Sequence, residues 1–142
     1  MTITTARIQR TKLTGDKRFG ALNQRYRVAA GMFQNYLFAL AARYSPDYNG
    51  GFWDYFELSN GGFYASLAID KSSLRVENPD NHFEGEMSPD AFSIGVNLCA
   101  LSHLTFDQYP SSLVDDICRD YDRLREYMFV HEEVKKLVRF TD

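Results

Sequence analysis

Cysteine is nearly absent: Cys99 and Cys118 are the only two in 142 residues. Each lies in an apolar helical pattern with no short-spaced partner, which excludes a disulfide framework and a CxxC metal knuckle. Both are expected to be buried, reduced thiols of a cytosolic protein. His82, His103 and His131 lie far apart, and the absence of HxxxH or HExxH spacing removes the usual zinc signatures. No apolar run approaches the length of about 18 residues that marks a bilayer span. The start Met-Thr-Ile-Thr-Thr also lacks the apolar core of a signal peptide, so a soluble, cytoplasmic chain with no membrane partner is expected. No Gly-rich loop opens a helix, so no phosphate cradle is visible and no cofactor is expected. Neither sign of charge dominates, with 16 basic against 19 acidic residues and a net charge of −3.

What is present is enough for a core. The hydrophobic fraction is 44% and aromatics make up 15%, well inside globular territory for a single domain over residues 1–142. Charge is unevenly placed: residues 1–44 carry a local net of +7 and the remainder −10. Residues 1–18 are expected to form a partly ordered basic arm. Such an arm either binds phosphates or pairs with carboxylates of the acidic body, and the second reading is the more economical.

The most distinctive stretch is 48–64, which holds the only Trp and six of the twenty Tyr and Phe. Asn60-Gly61-Gly62 between two aromatic runs predicts a hairpin, because Asn and Gly tolerate the positive φ of tight turns. A two-residue Asn60-Gly61 loop pairs Leu58 with Phe63, Phe56 with Ala65, Asp54 with Leu67 and Phe52 with Ile69 on one oily face. Trp53, Tyr55, Glu57, Tyr64, Ser66 and Ala68 then share the other. A Gly61-Gly62 loop preserves both sets, whereas a three-residue loop exchanges one strand's faces relative to the other. Asp54 does not fit the oily set.

Elsewhere, Arg27–Tyr44 reads as a helix with Phe33, Leu37, Leu40 and Tyr44 on its buried stripe, stopped by Pro46. Residues 74–78 form a third strand and 82–86 a short fourth. Ser88-Pro89-Asp90 starts a helix that is apolar nearly all round to Leu104, with Gly95 and Ala100 allowing close approach. It belongs in the middle of the molecule. Ser112 and Asp115 are spaced as a capping-box variant opening the next helix, whose buried stripe is Leu113, Ile117, Tyr121, Leu124 and Met128. Its outer face carries Asp115, Asp116, Arg119, Asp122 and Arg123, with Asp115 and Arg119 as an i,i+4 pair. A last helix covers about His131–Phe140. The fold class is therefore α+β: an antiparallel meander of three to four strands on a bundle of about four helices.

No catalytic constellation is visible. Cys99 and His103 share a helix face, but no third group orients them, and they read as a core thiol beside a helix-end histidine. Asp115, Asp116, Asp120 and Asp122 are spread around the helix by its 3.6-residue period and read as solvated rather than as a metal cluster. A pocket gathering His82, Glu84 and Glu86 would instead point to a hydrolase. Trp53, Tyr55 and Tyr64 have three readings. They are covered by the preceding helix, belong to a protein-binding patch, or serve with the basic arm as stacking platforms for nucleic acid.

Gly50–Tyr64, reading GGFWDYFELSNGGFY, resembles the GGYW and LSNGGFY signature of antirestriction proteins of the ArdB/KlcA type. Phe83–Ala91 resembles that family's FEGxxSADAA stretch and Ala100–Leu104 its ALSHL run. Tyr121–Tyr127 with His131–Glu133 resembles its YxxLR…HPE ending, in the same order along the chain. Departures include Phe52 for Tyr, Pro89 for Ala and Ala65-Ser66-Leu67 after the FY pair. The resemblance implies a non-enzymatic inhibitor of type I restriction-modification systems that protects incoming mobile-element DNA. Its partner would be the restriction complex or an associated host factor. DNA mimicry does not fit, because imitating ten base pairs takes roughly twenty negative charges. The expected protein-binding surface comprises Trp53, Tyr55, Glu57, Tyr64, Asp115, Arg119 and Arg123, and the alternative is a DNA-binding module using the basic arm.

Overall fold

The computed structural model describes residues 7–142; the first six residues of the expected basic arm lie outside the described residues. The rest of the arm is built into the fold. Arg10–Lys12 forms β1, Gly15–Phe19 α1 and Ala21–Tyr26 α2, followed by a 3-10 turn at Arg27–Ala29. The expected helix follows as α3, Ala30–Tyr44, with Phe33, Leu37, Leu40 and Tyr44 buried as its stripe requires. Then come β2 (Phe52–Leu58), β3 (Phe63–Ala68), β4 (Leu74–Asn78) and β5 (Phe83–Met87). Three helices complete the chain: α4 (Pro89–Leu104), α5 (Ser111–Phe129) and α6 (Val134–Thr141).

The α+β class holds, with one change of topology. The four expected strands divide into two sheets, β1-β2-β3 and β4-β5, all pairs antiparallel. The reason lies in α4. Its expected burial is met, with residues 91–98 all buried, but its polar side chains are what separate the sheets. Asp90, Ser93 and Asn97 recur at helical spacing on one face. Ala65 N–H donates to Asn97 Oδ1 at 3.0 Å, Asn97 Nδ2 donates to the Ala65 carbonyl at 2.7 Å, and Leu67 N–H donates to Ser93 Oγ at 2.8 Å. The free edge of β3 is thus satisfied by a helix instead of by β4, a standard way to close a sheet edge.

The hairpin register corrects the face assignment. Gly61 N–H donates to the Leu58 carbonyl and Leu58 N–H to the Gly62 carbonyl, both at 2.9 Å, so the loop has three residues, Ser59-Asn60-Gly61. Gly61 sits at φ +88, the left-handed position that a type I turn with a bulge requires. Tertiary contacts select this loop. Asn60 Oδ1 accepts from Gly62 N–H at 3.0 Å, while Asn60 Nδ2 donates to the Arg123 carbonyl of α5 at 2.9 Å. The pairs become Trp53 with Leu67, Tyr55 with Ala65 and Glu57 with Phe63 on one face, and Phe56 with Tyr64 and Asp54 with Ser66 on the other. Asp54 now faces a hydroxyl and lies 3.4 Å from Lys12. Both faces are covered: α2 and α3 meet Phe63, Tyr55 and Trp53, and α5 meets Tyr64 through Tyr127. Residues 62–67 are therefore buried without alternation.

Smaller differences have local causes. α5 starts at Ser111 after Pro110, and no side-chain cap forms at Ser112. Arg119 pairs with Asp116 at 3.1 Å rather than with Asp115. Asp120, expected on the solvated face, is buried against Arg25 of α2, with N–O distances of 2.6 and 3.0 Å. Cys99 is half-buried and Cys118 exposed, so only the first approaches the expected core thiol. The expected last helix starts later because His131–Glu133 are drawn into a turn described below. Gly95 allows the close approach expected of it, since a Cβ there would lie 2.4 Å from the ring of Phe140 in α6.

Candidate functional site

Three of the stretches that carry the family resemblance meet at one carboxylate. Asp90 lies in the first turn of α4, held there by Ser88, whose Oγ accepts from Ala91 N–H as the N-cap. Its Oδ1 accepts from Tyr64 Oη, Ser66 Oγ and Arg10 Nη1, each at 2.8 Å. Its Oδ2 lies 3.1 Å from His131 Nε2. Glu133 N–H donates to His131 Nδ1 at 3.0 Å, which assigns the Nε2–H tautomer and makes His131 a donor to Asp90. Glu133 turns back to accept from Ser88 N–H at 3.0 Å and from Ser88 Oγ. β1, β3, α4 and the turn before α6 are thereby tied at one point.

Electrostatics follow from this geometry. Burial acts to raise the Asp90 pKa, but hydrogen bonds from His131, Tyr64 and Ser66 with the charge of Arg10 outweigh it and hold the carboxyl below its ordinary value. Burial first, then the charge and hydrogen bond of Asp90, push the Tyr64 phenol far above its usual range. The Ser66 and Tyr64 hydroxyls both donate to the carboxylate, and the Ser88 hydroxyl donates to another. Chemically this arrangement is a clamp in which donors and acceptors satisfy each other.

Above the clamp lies a cleft of about 710 Å³, walled by Arg7–Arg10 on one side and by Tyr127, Phe129, Val130, His131 and Glu132 on the other. Arg10 stacks its guanidinium on Phe56, 4.2 Å from the ring centroid, so this arginine is fixed before any ligand arrives.

The residues expected to form one binding surface do not share one. Trp53 is 5% exposed, covered by Phe38 of α3 and by Tyr48, and Tyr64 is fully buried on the opposite side of the sheet. Covering by the preceding helix is thus correct for Trp53. Tyr55 is half-buried beneath Arg18, whose guanidinium lies 4.8 Å from its ring. Glu57, Asp115 and Arg119 are exposed and Arg123 half-buried. Arg123 reaches the hairpin tip, with its Nη1 3.4 Å from the Gly61 carbonyl, which also accepts from Arg25. The hairpin tip and α5 therefore bring Arg123 beside the turn that ends the Glu57 strand.

The basic residues of the N-terminal third are largely spent on the body. Arg10 pairs with Asp90, Lys12 with Asp54, Arg25 with Asp120, Arg27 with Asp116 and Arg43 with Asp80. A second cleft, of about 450 Å³, gathers His82 and Glu84 with Glu77 and Arg43 but not Glu86. Among the described residues no three His, Cys, Asp or Glu side chains are placed to hold a metal ion. No helix among them is long and apolar enough to cross a membrane.

Sequence reasoning placed Asp90 at a helix start and His131 among separated histidines and at the opening of the last helix, quoted both within motif runs, and missed the clamp. The available signal was Asp90, Ser93 and Asn97 at helical spacing in a helix otherwise apolar as far as Leu101. The partners on β1 and β3 come from distant positions and carry no sequence mark.

Comparison with known proteins agrees with this architecture. An antirestriction protein KlcA of Escherichia coli is 35% identical over 106 residues, covering 75% of this chain and 72% of that protein. A second Escherichia coli KlcA is 36% identical over 107 residues, 75% and 74% of the two chains. A solved structure from work on the KlcA and ArdB proteins matches over 100% of both chains with a TM-score of 0.88 at 26% identity. Those proteins are described as having a novel fold and antirestriction activity against type I DNA restriction systems in vivo but not in vitro. The family model for antirestriction proteins matches residues 46–142, which include Tyr64, Asp90 and His131, and the chain belongs to the antirestriction protein family.

Proposed function

We propose that this protein protects incoming mobile-element DNA from type I restriction, acting in the cytoplasm as a non-enzymatic inhibitor. Its partner is the restriction complex or a host factor acting with it. The observation that carries this reading is the family membership, joined to a full-length structural likeness to proteins with that activity in cells. Activity of those relatives in vivo but not in vitro favours a route through a component of the cell. Charge argues against imitation of DNA, because a net of −3 is far from the roughly twenty charges on ten base pairs. It also argues against the DNA-binding alternative, because five cations of the N-terminal third already pair with carboxylates of the body.

Within the expected surface, docking falls to the accessible members, Glu57, Asp115, Arg119 and Arg123, around the hairpin tip and the outer face of α5. Trp53 and Tyr64 support that surface from inside. The test is the plating efficiency of unmodified phage on a type I restricting host. Expression of the chain raises it, and the Glu57→Lys, Arg119→Glu double variant, with an unchanged melting curve, loses most of the gain. Unaltered restriction with soluble protein present would overturn the function. Full protection by the double variant would overturn only the surface.

A further inference from the structure

The edge of the three-stranded sheet opposite α4 is β1, whose three residues are exposed and which pairs with β2 alone among the described residues. The Ser59 N–H to Gln9 carbonyl and Leu13 N–H to Tyr55 carbonyl bonds, both 2.8 Å, place the odd-numbered residues of this segment in the ladder with β2. By the alternation of antiparallel pairing, the main-chain N–H and C=O groups of Arg10 and Lys12 then point away from the sheet. The side chains of Arg10 and Lys12 lie over Phe56, at 4.2 and 6.0 Å from its centroid. The cleft described above opens on that same face. Its far wall presents Phe129 and Val130, which are 50% and 41% exposed. An edge whose outward main-chain groups have no partner among the described residues, with a basic side and an apolar wall across the cleft, is the layout that receives an added strand.

We propose that β1 and the adjoining cleft form a strand-addition site for an extended, acidic segment of a partner protein. Main-chain groups of Arg10 and Lys12 would pair with the segment. Charge complementarity selects the occupant. Arg7 is exposed, and Arg10 commits only Nη1 to Asp90 and Tyr64 among the described residues, leaving its remaining N–H groups for an incoming carboxylate. Glu132 on the opposite wall repels an acid placed there, so the acidic side chain belongs beside β1 and its neighbour two positions along, an aliphatic one, against Phe129 and Val130. Self-pairing of two β1 edges is disfavoured by the same Arg and Lys. The inference rests on reading the chain as a protein-binding inhibitor, and it assigns a surface distinct from the hairpin tip and the outer face of α5 around Asp115 and Arg119.

The test uses the whole chain, labelled with nitrogen-15, and the capped peptide acetyl-Val-Thr-Asp-Thr-Val-amide, with a Lys-for-Asp peptide and a single-stranded oligonucleotide as controls. The acidic peptide is expected to perturb the amides of Arg10 and Lys12 and those of residues 129–132, and the Lys peptide to bind at least about tenfold more weakly. Lys12→Pro removes an outward N–H without touching the β2 ladder and is tolerated on an edge; it weakens binding about tenfold. Lys12→Ala keeps that N–H and stays within about threefold. Equal binding by the two variants, perturbations elsewhere, or displacement of the peptide by the oligonucleotide would overturn the site. None of these readouts depends on plating, so failure of this inference is distinguishable from failure of the proposed function and leaves that function standing.

Discussion

Replacing Asp90 with asparagine keeps the shape of the clamp and removes its charge. With the amide oxygen in the Oδ1 position, Tyr64, Ser66 and Arg10 keep an acceptor, but the acceptor is neutral, so the two hydroxyl bonds lose their charge and the Arg10 ion pair becomes a bond to a dipole. The amide nitrogen then faces His131 Nε2–H, donor against donor, and His131 cannot change tautomer without forsaking the Glu133 N–H. A hydrogen bond to a charged group contributes about 1.5–3 kcal/mol. Losing one outright and weakening three, in a site about a quarter exposed, gives an expected loss of about 3 kcal/mol. For a chain of this length that corresponds to roughly 10 °C in melting temperature. Urea unfolding followed by Trp53 fluorescence measures it directly, since the only Trp is buried. The pH dependence carries the sign. Asp90 has a folded pKa below its ordinary 3.8, so its contribution is fully present above that value and is lost as pH falls through the folded pKa. The gap between wild type and variant should therefore be widest near neutrality and close in acid. A loss below about 0.5 kcal/mol at neutral pH, or a gap that widens in acid, would refute the clamp.

Gly95→Ala places a methyl 2.4 Å from the fully buried ring of Phe140, and thermal denaturation should show an overpacking loss of about 1–3 kcal/mol. Thiol labelling followed by mass spectrometry should find Cys118 modified in the native protein at neutral pH. Cys99, which burial pushes up to about 11, should react only after denaturation; equal native labelling of both would contradict the packing around α4.

The hairpin shows where sequence reading stops. Asn60-Gly61-Gly62 announces a turn, but two- and three-residue loops satisfy the same tripeptide equally well. The choice is made by the Arg123 carbonyl, which takes the Asn60 amide, and by Arg25 and Arg123, which hold the Gly61 carbonyl. One added loop residue exchanges the faces of β2 relative to β3, which moves Trp53 and Tyr64 to opposite sides of the sheet and into the core. Trp53 and Tyr64 are lost to the expected binding surface for that reason. Asp120 is a similar case: helical periodicity places it on the outer face, and only the approach of α2 supplies Arg25 to bury it.

Local chemistry determined the start of α4 at Ser88-Pro89-Asp90, the buried stripe of α3, the presence of four strands and the α+β class. Caps, stripes and turn residues act between neighbours a few positions apart, so one chain suffices to read them. The motif runs likewise sufficed to suggest the family. Tertiary structure alone decided that α4 would seal the β3 edge through Ser93 and Asn97, that the basic N-terminal third would neutralise the acidic body, and that Arg10, Tyr64, Asp90 and His131 would meet. Those outcomes depend on pairings between residues tens of positions apart, where distance in the chain carries no information about distance in space.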